Sequence, residues 1–265
     1  MELFGLIGAG NMGGAIAKGI KASGLAPAGK ITVFDVDEPK RLEMANLGFA
    51  TAWDESEVVQ KSKYVILAVK PQDFACLLQN IKCAVTAETV IVTIAAGISI
   101  ESIQEALGGC KVIRVMPNTP LLLGCGASAV SRSANVTDEE FDFILKLFDS
   151  LGKAKIIDAS LMNEVIPLNG SAPAFIYLFA KYFVERAVQS GIDKETANEL
   201  FCQSLIGSSR MMTESGFDHD TLIKMVTSKG GTTEKGLAAL ERNGLKQAVF
   251  EAYDDCVKRA YELGK

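Results

Sequence analysis

The sequence predicts an α/β chain in two parts, a mostly parallel, doubly wound sheet and, after it, an all-helical domain. Three observations carry this. Short β-rich runs alternate with helical stretches as far as about Asp158, the pattern of strands joined by helical crossovers. From there to Lys265 the β-rich runs stop and the chain reads as helix broken by glycine. The length of 265 residues suits two domains, at ~100–200 residues each. The domains are placed at residues 1–158 and 159–265.

Within the first part the candidate strands are Leu3–Ile7, Ile31–Phe34, Tyr64–Val69, Thr89–Ile94, Lys111–Val115, Ala127–Val130 and Lys155–Ile157. Between the first two, Met12, Ile16 and Ile20 recur at helical spacing and would lay an apolar stripe on the sheet. Thr137 and Glu140 form a capping box that opens a helix ending near Leu151, with Gly152 placed to stop it. In the second part a helix runs from about Ala174 to Ser190 and stops at Gly191. Asp193 caps another that reaches about Thr213, a short one spans about Asp218–Val226, and two more flank Gly244. The helix after Ala174 is apolar nearly all round, from Phe175 through Phe179 to Val184, more than a small helical domain can cover alone. A tightly packed or helix-swapped dimer is expected.

Hydrophobic residues make up 48% of the chain and charged ones 22%, so a sizeable core can be buried. A formal charge of −5 without any dense Lys/Arg block gives no footprint for nucleic acid or an anionic membrane. The expected partner is a small molecule. Six cysteines, Cys76, Cys83, Cys110, Cys125, Cys202 and Cys256, lie scattered without a CxxC pair, and the sequence opens directly into a strand. These features point to a reducing cytoplasm, with each cysteine read as a small buried apolar residue. His219 is the only histidine, so no metal cluster of familiar spacing is expected. The most membrane-like stretch, Val165–Ala180, is interrupted by Asn169, Gly170, Ser171 and Pro173 and is read as a buried helix.

The loop Gly8, Ala9, Gly10, Asn11, Met12, Gly13 follows an apolar strand and opens an amphipathic helix. In that context Gly8 allows the tight turn, Gly10 lets backbone approach a pyrophosphate, and Gly13 permits close helix packing. The helix N-terminus supplies free N–H groups to the anion. The first domain is therefore Rossmann-like and binds a nicotinamide dinucleotide. Asp35 ends the second strand, where a carboxylate accepts from the ribose hydroxyls of NAD and repels the extra phosphate of NADP, so it leans the cofactor, NAD(P)H, towards NADH. Lys40 and Arg41 lie just beyond and could turn back to a phosphate, and Asp37 could cap the next helix.

Further segments sit at strand ends, where an open α/β sheet places its ligand. Ala68, Val69, Lys70 and Pro71 follow the third candidate strand, and Ala95, Ala96 and Gly97 the fourth. Small residues there admit a nicotinamide or ribose, although each segment also reads as plain turn chemistry. Met116, Pro117, Asn118, Thr119 and Pro120 make a rigid loop with Asn118 expected to face the cofactor. In the helical domain Gly230 and Gly231 lead into a helix that begins near Thr232 and Thr233. Such an N-terminus can hold a substrate carboxylate. A threonine hydroxyl there either caps the helix or donates to the reacting group.

Dehydrogenases of hydroxyl or carbonyl groups need a His, Lys or Tyr to handle the oxygen's proton. His219 falls in a polar turn, and Lys181 lies on an apolar helix from which it can snorkel. A C=N substrate needs less help, because its nitrogen already carries the proton that makes the product amine neutral. The motif set suits imine reduction.

On these residues the chain resembles the pyrroline-5-carboxylate reductases over essentially its whole length. The resemblance rests on GAGNMG at 8–13, AVKP at 68–71, AAG at 95–97, VMPNTP at 115–120, NGSAPAF at 169–175 and SKGGTT at 228–233. It implies NAD(P)H-dependent reduction of 1-pyrroline-5-carboxylate to L-proline in proline biosynthesis, with hydride passing from nicotinamide C4 to ring C5. It also implies interlocked homodimers, often assembled into a decamer. By position, Thr233 would hydrogen-bond the substrate ring nitrogen, and Gly230, Gly231 and Thr232 would receive the carboxylate. Asn169, Phe175 and Lys229 stand where the family usually has serine, tyrosine and proline. Two rivals remain: a β-hydroxyacid dehydrogenase relative, which would need an asparagine one turn after its lysine where this chain has Glu185 after Lys181, and a non-catalytic dinucleotide sensor.

Overall fold

The computed structural model describes residues 2–264; residues 1 and 265, the outer ends of the two expected domains, lie outside it. The strands are β1 Glu2–Ile7, β2 Ile31–Phe34, β3 Ala50–Thr51, β4 Ser62–Leu67, β5 Val90–Thr93, β6 Lys111–Met116, β7 Gly126–Arg132 and β8 Gly152–Ile156. They form one sheet in the order β3-β2-β1-β4-β5-β6-β7-β8. Every pairing is parallel except β6 with β7. Each of the seven expected strands is present. The added one, β3, is a two-residue edge strand, too short to show any alternation in sequence.

Doubly wound packing follows from alternation along the central strands. Phe4 and Leu6 of β1, Tyr64 and Ile66 of β4, Val90 and Val92 of β5, with Ile113 and Val115 of β6, face one layer. Ile7, Val65, Leu67, Ile91 and Val112 face the other. The first layer is covered by α1 Asn11–Ala22 and α6 Asp138–Ser150. The stripe of α1 lies as predicted, with Ile16 and Ile20 buried and Met12 packed against the same core. The second layer is covered by α3 Glu55–Lys61, α4 Phe74–Ile81 and α5 Ile100–Leu107, while α2 Glu38–Asn46 follows β2. On α4 the buried face is Phe74, Leu77, Leu78 and Ile81, so Cys76 falls off that stripe.

The cysteines thereby depart from expectation. Only Cys110 is buried; Cys76, Cys83, Cys125 and Cys202 are exposed and Cys256 is intermediate. For Cys76 it is the phase of α4, not residue type, that decides exposure.

The second part is α7 Ala172–Gln189, α8 Lys194–Glu214, α9 His219–Met225, α10 Thr232–Arg242 and α11 Leu245–Leu263. Asp193 and Asp218 cap α8 and α9, accepting from the N–H groups of Thr196 at 3.0 Å and Thr221 at 2.7 Å. Two compact units emerge: one runs to Pro173 and takes back the chain from Asp255, and the other is Ala174–Asp254. In the second unit Ala197 is the sole buried residue among those described. The stretch read as a buried helix is neither continuous helix nor buried throughout: Val165 and Ile166 are buried but lie before the helix, which begins only at Ala172, and there Ile176, Tyr177 and Leu178 are 49%, 61% and 48% exposed. No helix among the described residues is long and apolar enough to cross a membrane.

Glu140 ties α6 to the sheet. Its carboxylate accepts from Thr137 N at 3.2 Å while Thr137 Oγ1 accepts from Glu140 N, completing the capping box. Lys111 Nζ lies 2.9 Å and Lys63 Nζ 3.5 Å from the same buried carboxylate. Burial pushes this carboxyl up, but the bonds from Lys111 and Thr137 and both lysine charges outweigh it and hold it below the ordinary value of 4.5. A depressed folded-state value means stabilisation that is present above the unfolded value and is lost as pH falls through the folded one. Glu140→Gln is therefore expected to destabilise by about 1–2 kcal/mol at pH 7. The difference in Tm from the parent protein, followed by thermal melts between pH 7 and 3, should shrink below about pH 4.5.

Candidate dinucleotide and substrate sites

The first site is built where β1 turns into α1. Gly8 N donates to Phe34 O of β2 at 2.8 Å, and Gly8 adopts φ +98°, a region closed to most side chains. A Cβ on Gly8 would lie 2.6 Å from Ala68 O, and one on Gly13 would run into Gly8 O and lie 3.0 Å from Ala68 Cβ. A Cβ on Gly10, by contrast, would meet nothing within 4 Å. Gly10 is also the N-cap of α1 and no side chain caps that helix. The outer N–H groups of Asn11, Met12 and Gly13 thus stand at an uncapped helix N-terminus beside open space, which is what a pyrophosphate requires.

That space is a cavity of about 450 Å³ lined by Gly8, Gly10, Asp35, Ala68, Val69 and Lys70, and extended by Cys76 and Asn80 of α4. Of the residues after β1, β2 and β4 expected at the cofactor, Gly8, Gly10, Asp35, Ala68, Val69 and Lys70 are brought together here, whereas Ala9, Asn11, Met12, Gly13 and Pro71 are not among the lining. The α4 residues were not legible in sequence, because they become neighbours only when α4 folds back across the sheet end.

Asp35 is engaged within the protein. Its Oδ2 accepts from Ala9 N at 2.6 Å and its Oδ1 from Asp37 N at 2.9 Å, so the carboxylate pins the glycine loop to the end of β2. Arg41 is committed within the protein: Nη1 donates to Asp35 O at 2.6 Å and the guanidinium sits 5.6 Å from the centre of the Phe34 ring. Lys40 is the looser cation, 3.9 Å from Asp35 and 3.5 Å from Asp37 with 43% of its side chain exposed. Asp37 makes no capping bond to α2.

Ala96, Gly97 and Asn118 do not line this cavity. Gly97 lies against the end of α11. The Asn118 side chain is buried instead of facing a cleft: Oδ1 accepts from Ala127 N at 2.8 Å and Nδ2 donates to Asn169 O at 3.1 Å. Asn169 completes the knot, donating to Met116 O at 2.6 Å and Ala127 O at 3.0 Å while accepting from Gly170 N at 2.8 Å. Asn169, where serine is usual, thereby crosslinks the end of β6 to the start of β7.

The second site belongs to the helical unit. Gly231 is the N-cap of α10 and again no side chain caps the helix. Glu234 reaches back instead, its Oε2 accepting from Gly230 N at 2.6 Å. Thr232 and Thr233 are exposed, and neither hydroxyl has a hydrogen-bond partner among the described residues. Of the two tasks open to a threonine here, capping is not the one adopted. Sequence reasoning missed Glu234, because with glycine at the N-cap no capping-box pattern signals it. Lys181 pairs with Glu185 at 3.7 Å, both exposed, and His219 is an exposed first-turn residue of α9.

Residues 159–263 match the family model for pyrroline-5-carboxylate reductase dimerisation, and residues 3–97 match one described as NADP oxidoreductase, coenzyme F420-dependent. The chain is 36% identical to the pyrroline-5-carboxylate reductase of Methanosarcina acetivorans, covering 100% of this chain and 98% of the relative. This chain belongs to the pyrroline-5-carboxylate reductase family. The family's Escherichia coli K12 enzyme is 34% identical, with 98% of each chain covered. The crystal structure of the pyrroline carboxylate reductase of Plasmodium falciparum with NADP bound superposes with a TM-score of 0.92 at 26% identity, covering 100% of both chains. The chain is accordingly an NAD(P)H-dependent oxidoreductase of this family, and neither rival reading is favoured.

The glycine loop separates folding from binding. Gly13→Ala should destabilise strongly, because its Cβ has no room beside Gly8 O. Gly10→Ala should leave the melting temperature nearly unchanged, within the ~1 kcal/mol of an N-cap exchange, yet weaken dinucleotide binding at least tenfold. Scanning fluorimetry and a dinucleotide titration check both.

Proposed function

We propose that this chain reduces 1-pyrroline-5-carboxylate to L-proline with NAD(P)H, the observation carrying the reading being its full-length similarity to reductases of that name. Bound NAD(P)H supplies the hydride. Gly8, Ala9, Gly10, Asn11, Met12 and Gly13 receive the pyrophosphate, and Asp35 with Ala68, Val69, Lys70 and Pro71 receives the adenosine half. Ala96 and Gly97 border the nicotinamide end, and Asn118 serves by holding its loop. Gly230, Gly231 and Thr232 take the substrate carboxylate, and the free Thr233 hydroxyl hydrogen-bonds the ring nitrogen. No further acid is required, because the protonated imine becomes the neutral amine as it accepts hydride.

NADH is the preferred donor in this reading. The Asp35 carboxylate lines the cavity, which supports its assignment to the ribose, and Arg41 is already bonded to backbone. Lys40 offsets part of the Asp35 charge, so NADPH is also accepted. Initial rates of pyrroline carboxylate reduction with each cofactor, on the parent protein and on Thr233→Ala, form the test. The expected result is a higher kcat/KM with NADH and a loss of more than tenfold in the variant, about 1.4 kcal/mol. An unchanged rate in Thr233→Ala would sink its assignment.

The working form is a homodimer through the helical unit. Phe179, Phe183 and Phe201 cluster there with neighbouring ring centres 4.9 Å apart, yet Tyr177, Leu200 and Val226 remain 61%, 64% and 68% exposed. A monomer leaving this much apolar surface in water is disfavoured. The six cysteines, none in a disulfide, suit a cytoplasmic, reducing setting. Light scattering at micromolar concentration should give the mass of two chains or, for five assembled dimers, ten. A single-chain mass would remove the dimer.

A further inference from the structure

The structure assigns a positioning role to the last turns of α11: through Arg114, Asn163, Glu164 and Tyr261 they hold the Ala96–Gly97 loop in place for the nicotinamide. The inference rests on the preceding assignment of that loop to the nicotinamide end. All the contacts involved lie within the first unit.

Two features leave the loop in need of support. Strand β5 ends at Thr93, and the last bonds to the sheet near the loop are Ile94 N to Leu67 O and Ala95 N to Thr93 Oγ1. Beyond these, no backbone hydrogen bond reaches Ala96 or Gly97 among the described residues. What packs on the loop is the end of α11. Gly97 has φ +80°, and a Cβ there would lie 2.5 Å from Ala260 O and 3.0 Å from Leu263 Cβ, with Gly264 lying against Gly97 O. Ala96 packs on the cluster that contains Met116, Ile166 and Ala260.

The helix end is in turn tied to the sheet by a polar relay. Arg114 of β6 is 3% exposed and its Nη2 donates to Asn163 Oδ1 at 2.6 Å. The next residue, Glu164, accepts at Oε1 from Tyr261 Oη at 2.6 Å. Burial draws the Arg114 guanidinium down, and Glu101, Tyr261 and Glu164 counter it. A cation this deep is costly unless its surroundings are polar. Tyr261 is 48% exposed, and its hydroxyl makes the bond to Glu164 that joins α11 to the relay. An interior charge is thus spent on locating a helix end whose opposite neighbour is the cofactor-side loop.

Two variants test this: truncation after Arg259, which removes Ala260, Tyr261 and Leu263, and Tyr261→Phe, which removes only the hydroxyl. The readouts are the dissociation constant of NADH, the emission of the bound reduced nicotinamide, and kcat per titrated NADH site. The expected result is a dissociation constant within threefold of the parent value, because the adenosine half and pyrophosphate are held elsewhere. The bound emission should move towards that of free NADH, and kcat per site should fall at least tenfold on truncation and less in Tyr261→Phe. Emission unchanged in both variants, with only Tm lowered, would show a purely structural cap and overturn the proposal. If the truncated chain does not fold, the emission of Tyr261→Phe decides alone. Normal emission changes in an enzyme whose parent form does not turn over pyrroline carboxylate would remove the proposed reaction and leave the positioning role standing.

Discussion

Everything at the cofactor end depends on how closely the β1–α1 turn approaches the end of β4. Gly8 and Gly13 face each other and Ala68 with no room for a Cβ on either glycine. That approach brings the uncapped N-terminus of α1 to the ends of the strands beside the cavity that Gly8 and Gly10 line. A larger residue would lift the helix and with it the anion site. Asp35 adds the lateral constraint, accepting from Ala9 N and Asp37 N so that the loop cannot slide along the strand ends. A carboxylate used in this way is a structural part of the loop, held in place by the two backbone N–H groups it accepts from.

Much of this was legible in sequence, for a definite reason. Interior parallel strands are runs rich in β-branched residues, and Val65–Leu67, Val90–Thr93 and, despite Arg114, Val112–Val115 declare themselves without reference to neighbours. The glycine loop is legible because its glycines answer to backbone geometry set within a single βαβ unit. Capping by Thr137, Asp193 and Asp218 is equally local. The misses share the opposite property. The burial of Cys76 depends on the phase of α4, and the amide pair Asn118 and Asn169 acts across 51 positions of chain. Arg114, Glu164 and Tyr261 meet only after α11 has returned to the first unit. Local chemistry can be read in order along the chain, whereas a bond between distant polar groups is decided by topology.

The helical unit obeys a different constraint. Its helices have sharp caps and clear lengths, so local signals again succeed, but they do not enclose a core: Ala197 alone is buried among its described residues. Reading Val165–Ala180 as a buried helix assumed that an apolar stretch is covered by its own chain. Folded alone, the unit would set the entropy of ordering its residues against little hydrophobic gain. Its stability therefore has to come from apolar area covered by another surface, and the family's dimerisation match falls on this part of the sequence.

These constraints divide the chemistry between two kinds of helix N-terminus. At α1 the uncapped N–H groups are built by backbone alone, beside Gly8 and Gly13, where no Cβ fits, which suits a phosphate of fixed shape. At α10 the N-terminus carries two threonine hydroxyls that the helix does not use, with Glu234 attending to the preceding glycine N–H. Unspent donors beside a dipole are suited to a smaller ligand with both a charge and a reacting nitrogen. One N-terminus is bare of side chains and the other keeps two hydroxyls free, and the proposed imine reduction calls for both kinds, because hydride donor and acceptor must be gripped independently.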